Sequence, residues 1–213
     1  MRQRITVIDY GMGNLRSVAK AMEHVAGDGD EILVSDDPAL ILASDRVVFP
    51  GQGAARDCMA AISNHHLNQA ILEAARTKPF LGICMGQQVL LDFSEENGGT
   101  RLLGLYGGQV RRFSGGIAPD GEAMKIPHMG WNRVRQRHNH PLWQGIPQDS
   151  RFYFVHSYYV DPEQKALVAA TTDYGVSFAS AIADKHLFAA QFHPEKSAEA
   201  GLRLLKNFVN WKV

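Results

Sequence analysis

Cysteine is scarce in this chain: 213 residues hold two, Cys58 and Cys84. Two cysteines exclude the disulfide framework that staples small secreted domains, and their scarcity fits a reducing compartment. Net charge is also lacking, because 22 Lys and Arg are balanced by 22 Asp and Glu. No general basic field is therefore present to gather nucleic acid or an anionic membrane. Long hydrophobic runs are missing too, since no apolar stretch reaches the length needed to cross a bilayer. The start, Met1-Arg-Gln-Arg4, is basic, but Ile5-Thr-Val-Ile8 is too short for a signal core and stops at Asp9. There is no internal repeat, linker or low-complexity segment. These absences predict a soluble, cytoplasmic protein with one domain over residues 1–213 and no nucleic-acid or membrane partner. A chain of this length buries roughly 70% of its unfolded surface.

What is present alternates. Apolar strands are predicted at residues 4–9, 31–35 and 46–49, and an amphipathic helix over 14–25 carries Leu15, Val18, Ala19, Met22 and Val25 at helical spacing. Asn14 stands where that helix needs an N-cap, and Asp36-Asp-Pro38 reads as a second helix start. The loop Tyr10-Gly-Met-Gly13-Asn14 is too sparse in glycine for a dinucleotide fingerprint. Two further amphipathic stretches, residues 55–63 and 67–76, flank His65-His66, a pair with no carboxylate or thiolate cluster beside it to make a metal site. The first half thus predicts a doubly wound α/β sheet.

After Phe93 the pattern changes. Residues 95–99 read as a turn, and residues 107–131 as loops and small antiparallel strands. The run 151–160 is the most β-like in the chain, 179–183 and 187–192 form a hairpin, and 198–211 closes with a helix burying Leu202, Leu205, Phe208 and Val209.

Three stretches carry chemistry. In Gly82-Ile-Cys84-Met-Gly86, an apolar strand runs into a cysteine between two glycines, the spacing of a nucleophile elbow with Cys in place of Ser. Val89, Leu90 and Leu91 would line the inner face of the helix that follows, whose N-terminus would stabilise a Cys84 thiolate. Taken alone, the pattern is equally that of a buried core cysteine. Pro50-Gly51-Gln52-Gly53 has few side chains to obstruct a ligand, so its N–H groups can face an oxyanion, although an ordinary strand-to-helix turn looks similar. His193-Pro-Glu195 offers a base and a carboxylate to orient it, two apart in an extended segment and so on one side, although a lone His-x-Glu also suits an exposed strand end.

With these three motifs in this order, the chain resembles the class I, triad-type glutamine amidotransferases. Tyr10-Gly-Met-Gly-Asn14-Leu-Arg-Ser17, His128-Met-Gly-Trp-Asn132, Phe154-Val-His-Ser-Tyr158 and His193-Pro-Glu-Lys-Ser197 narrow the resemblance to the glutaminase subunits of imidazole glycerol phosphate synthases in histidine biosynthesis. The resemblance implies a flavodoxin-like, mainly parallel mixed sheet with flanking helices and a smaller antiparallel portion in the second half. It implies that Cys84 attacks the side-chain amide of L-glutamine, that His193 relays the proton and that Glu195 orients the imidazole. Backbone N–H groups of Gly51, Gln52, Gly53 and Met85 would hold the oxyanion, and Gly53, Gln88, Glu96, Ser157 and Tyr158 the substrate, with Glu96 towards its ammonium. Gln87 stands where such chains often carry an apolar residue, and spacing assigns the binding role to Gln88. No cofactor or metal is implied. A (βα)8-barrel cyclase partner is, receiving ammonia through a tunnel, with Asn14, Trp131 and Lys196 at or near its docking face. Tyr10-Gly-Met-Gly-Asn14 and His128-Met-Gly-Trp-Asn132 argue against glutaminases of other pathways, Cys84, His193 and Glu195 against a noncatalytic subunit, and Gln88 with Glu96 against a cysteine peptidase or chaperone on a similar sheet.

Overall fold

The computed structural model describes residues 2–116 and 124–213. In chain order come β1 (Arg4–Ile8), α1 (Leu15–Val25), β2 (Glu31–Ser35), α2 (Pro38–Ala43), β3 (Arg46–Gly51), α3 (Ala55–Asn64), α4 (Asn68–Thr77), β4 (Phe80–Cys84) and α5 (Met85–Gln88). The alternation follows the predicted one. At the start of α2 the Asp37 side chain accepts from the N–H of Ala39 at 2.8 Å and Pro38 fills the first turn. Asn14 occupies the cap position of α1 but makes no side-chain cap bond.

The second half supplies β5 (Phe93–Ser94), β6 (Thr100–Arg101), β7 (Gly108–Arg112), β8 (His128–Arg133), β9 (Arg135–Gln136), β10 (Arg151–His156), β11 (Tyr158–Pro162), β12 (Val168–Tyr174), β13 (Val176–Asp184), β14 (Leu187–Ala190) and α6 (Ala198–Asn210). The large sheet runs β2-β1-β3-β4-β14-β13-β11-β7-β5-β6, with β12 and β9 attached beside β13. From β2 to β14 neighbouring strands are parallel, and β13 turns back antiparallel across the predicted hairpin. The structure is thus a mixed, mostly parallel sheet with flanking helices and a separate antiparallel pair, β8 with β10. The predicted stretch 107–131 includes residues 117–123, which lie outside the described residues.

Both faces of β1, β3, β4 and β14 are buried, whereas the edge strand β2 is only partly covered. Val48, Leu81 and Phe188 pack on one side against Val18, Met22, Leu204, Leu205 and Phe208, while Val47, Phe49 and Phe80 pack on the other against Ile41, Cys58, Ile62 and Ile71. This two-residue period gives each strand one side chain per layer, which is why the parallel strands read as continuous apolar runs.

Three local expectations are corrected. The helix after Cys84 is one turn long, because the carbonyls of Val89, Leu90 and Leu91 accept from the N–H groups of residues 103–106 rather than extending it; all three side chains are nonetheless buried. The run 151–160 is two strands in different sheets, broken at Ser157, so that the chain passes from β10 to β11 beside the carboxyl ends of the parallel strands. On α6, Leu204 takes the buried position assigned to Leu202, which is only partly covered.

Candidate active site

The ends of β3, β4 and β14 meet at one edge of the sheet, where the strand order of an open α/β fold places ligand sites. Cys84 ends β4 with φ +56° and ψ −107°, a conformation that non-glycine residues adopt only when their surroundings impose it. Its surroundings are two glycines that admit no side chain. A Cβ on Gly86 would lie 1.8 Å from the Phe49 carbonyl oxygen, and one on Gly82 would lie 2.6 Å from that of Gly86 and 2.8 Å from Ala189 Cβ. The elbow is therefore held by close backbone packing against β3 and β14.

His193 follows β14. Its Nδ1 lies 2.8 Å from Glu195 Oε1, with both side chains almost fully buried. The segment between them is not extended as expected. Pro194–Lys196 forms a single 3-10 turn, and this turn folds the carboxylate back onto the imidazole. The His193 N–H donates to the Tyr153 carbonyl at 2.9 Å, and Ser197 Oγ donates to the His193 carbonyl at 2.6 Å, so the histidine is held by β10 as well as by its own turn. Burial, the largest influence on the imidazole, disfavours its charged form. It is outweighed by the charge and proximity of Cys84 and by Glu195, which together carry the pKa well above the usual imidazole range, to about 10. Nε2 makes no hydrogen bond among the described residues, so the sulfur acts on it through charge rather than through a formed bond.

A cleft of about 430 Å³ opens over this pair, lined by Gln52, Gly53, Met85, Gln88, Glu96, Ser157, Tyr158 and Lys196 together with Val155 and His156. The structure thus gathers the predicted nucleophile, base, carboxyl group at Glu96, loop residues and substrate residues around one space. Gly51 lies beneath it: a Cβ there would meet the Tyr10 hydroxyl at 2.2 Å and Met85 Cβ at 2.8 Å. Glu96 Oε2 accepts the N–H of Ala55 at 2.6 Å, capping α3, so its other oxygen is the one left to a ligand. Asn14 and Trp131 stand outside the cleft, the indole about half exposed beside the still more exposed Met129.

Sequence reading missed two groups. The first is a buried histidine pair. His156 Nδ1 donates to the Tyr158 carbonyl at 2.7 Å; its Nε2 then accepts from His128 Nδ1 at 2.9 Å, and His128 Nε2 accepts from Asn132 at 3.2 Å. Burial pushes His128 down to about 4 and His156 to about 3, so both are neutral, as this chain of bonds requires. The second is Gln191, fully buried one residue beyond β14, whose Nε2 points at Cys84 Sγ. Its place two residues before His193 was the available signal. Among the described residues no group of three or more His, Cys, Asp or Glu is placed to hold a metal ion, and no helix is long and apolar enough to cross a membrane.

An elbow cysteine, a buried His–Glu pair and a glycine loop facing one cleft define a class I glutamine amidotransferase, and the family described as Glutamine amidotransferase class-I matches residues 6–211. The imidazole glycerol phosphate synthase subunit HisH of Methylococcus capsulatus is 59% identical over 210 residues, covering 98% of this chain and 96% of the relative. That of Aromatoleum aromaticum is 56% identical over 209 residues, covering 97% and 98%. The chain belongs to this family of HisH subunits. A solved glutamine amidotransferase superposes with a TM-score of 0.70 at 14% identity over 96% of this chain and 97% of that one, a likeness of fold alone. The name borne by the relatives, a synthase subunit, implies a partner subunit in the synthase complex.

Proposed function

We propose that this chain hydrolyses L-glutamine to glutamate and ammonia through Cys84, His193 and Glu195, and passes the ammonia to a (βα)8-barrel cyclase subunit that makes imidazole glycerol phosphate. The observation that carries the reading is the strained Cys84 at the floor of a cleft, facing an imidazole whose other nitrogen is held by a buried carboxylate. The thiolate attacks the amide carbon. The imidazolium of His193 gives its proton to the departing ammonia, leaving a glutamyl thioester, and the neutral imidazole then takes a proton from the water that releases glutamate. N–H groups of the residue 51–53 loop and Met85 hold the oxyanion, while Gln88, Glu96 and the Ser157-Tyr158 segment hold the amino acid. No cofactor is needed for any of these steps.

The partner docks on the face carrying Asn14, Trp131 and Lys196. Two routes tie that face to the chemistry. Gly13 and Met12 pack on the oxyanion loop, since a Cβ on Gly13 would lie 3.4 Å from Gly51 Cα and one on Gly53 would lie 2.7 Å from Met12 Cε. Trp131 pairs across the small sheet with Tyr153, whose carbonyl receives the His193 N–H. A partner pressing on either route can shift the loop or the base into its working position, which makes hydrolysis dependent on docking. The test is covalent labelling with a diazoketone analogue of glutamine. Modification of Cys84 that glutamine competes away supports the reading, and labelling that ignores glutamine contradicts it.

A further inference from the structure

Gln191 is an uncharged side chain with no exposed surface, set against the nucleophile. It stands where two parallel strands finish together: Ala190 pairs with Ile83, so the next residue on each strand, Gln191 and Cys84, are neighbours across the sheet. Its N–H is fixed to the Ser180 carbonyl at 2.9 Å. Its side-chain Nε2 lies 3.6 Å from Cys84 Sγ, within hydrogen-bonding distance for sulfur.

The orientation of this amide is dictated from the far side. Gln88 Nε2 donates to the Tyr158 carbonyl at 3.1 Å, and only a nitrogen can fill that role against a carbonyl. The same nitrogen donates its second hydrogen to Gln191 Oε1 at 2.9 Å. With its oxygen committed to Gln88, Gln191 can present only N–H to the sulfur. The bonds therefore run in one direction, from Gln191 to Cys84 at one end and from Gln88 to Gln191 and Tyr158 at the other. An N–H aimed at sulfur favours the anion over the thiol, because the thiolate is much the better acceptor.

We propose that Gln191 is a positioning residue for the nucleophile, a fixed amide donor that holds the Cys84 sulfur as thiolate and ties its readiness to Gln88 on the substrate side of the cleft. The inference rests on the reading of Cys84 as nucleophile, but its test needs neither glutamine nor a partner. Iodoacetamide alkylation of Cys84 is followed from pH 5 to 10 in the wild type and in Gln191→Met, which keeps the length of the side chain and removes the donor. At pH 6 the variant is expected to react about tenfold more slowly, with its profile displaced to higher pH and the same plateau in alkali. A profile that superimposes on the wild type overturns the proposal, since a residue that merely fills space would change stability or plateau rate without moving the profile.

Should Gln191→Met fail to fold, the wild-type protein gives the answer by NMR. The Gln191 side-chain N–H resonances are expected to move with the titration of Cys84 and to lose that movement in Cys84→Ala; resonances that do not move overturn the proposal. An unshifted alkylation profile beside glutamine-competed diazoketone labelling removes the role of Gln191 alone. A shifted profile beside labelling that ignores glutamine removes the glutaminase reading alone.

Discussion

His193 and Glu195 meet at 2.8 Å through a 3-10 turn, with both side chains closed off from water and the second carboxylate oxygen unpartnered among the described residues. A carboxylate so placed orients the ring and favours its protonation, but it opposes a strong burial penalty.

The balance is tipped by Cys84, and this yields a prediction. In the intact protein His193 stays protonated through neutral pH, its pKa raised to about 10. Cys84→Ala removes the leading favourable influences and leaves burial and Glu195 in opposition, so the imidazole should titrate far lower. An NMR titration of His193 in both proteins checks this, and similar titration curves would contradict it.

Glu96 caps α3 and, in the proposed function, also faces the substrate ammonium, and a single substitution separates the two. Its Oε2 caps α3 at Ala55, and a glutamine at this position retains an acceptor for that N–H while losing the charge. Glu96→Gln should therefore raise the KM for glutamine by about tenfold or more, through the lost partner of the substrate ammonium, with little change in unfolding temperature. An unchanged KM would confine Glu96 to capping.

How much of this was legible beforehand differs by element. The parallel half was, because strands buried on both faces appear as unbroken apolar runs such as Phe80-Leu-Gly-Ile83, bounded by glycine, proline or caps. The elbow was legible because only glycine tolerates the contacts at positions 82 and 86. The break at Ser157 was not, since strand propensity runs on through Tyr158 and Tyr159 while tertiary pairing sends β10 and β11 to different sheets. The hydrogen bonds of Gln191, His128 and His156 were hidden for a related reason. Their importance lies in which atom faces which, and one-dimensional spacing carries no hydrogen-bond direction.

The buried histidine pair predicts acid sensitivity. Below its ordinary pKa of 6.5 each histidine binds a proton in the unfolded chain that the folded protein refuses down to about 4 at His128 and about 3 at His156. Their stabilising contribution is complete above pH 6.5 and is lost as pH falls towards 4. Each adds a slope approaching about 1.4 kcal/mol per pH unit. Urea unfolding between pH 4.5 and 7 should show this slope, reduced by about one proton in His156→Gln. The same slope in both proteins would contradict it.

The most direct measurement of the central claim is glutamate release from glutamine by the purified chain, alone and with the barrel cyclase and its nucleotide substrate, with Cys84→Ala as control. Little release is expected from the chain alone, strong stimulation by the loaded cyclase, and none from the variant in either setting. Brisk release that ignores the cyclase, or release that survives in Cys84→Ala, would contradict it.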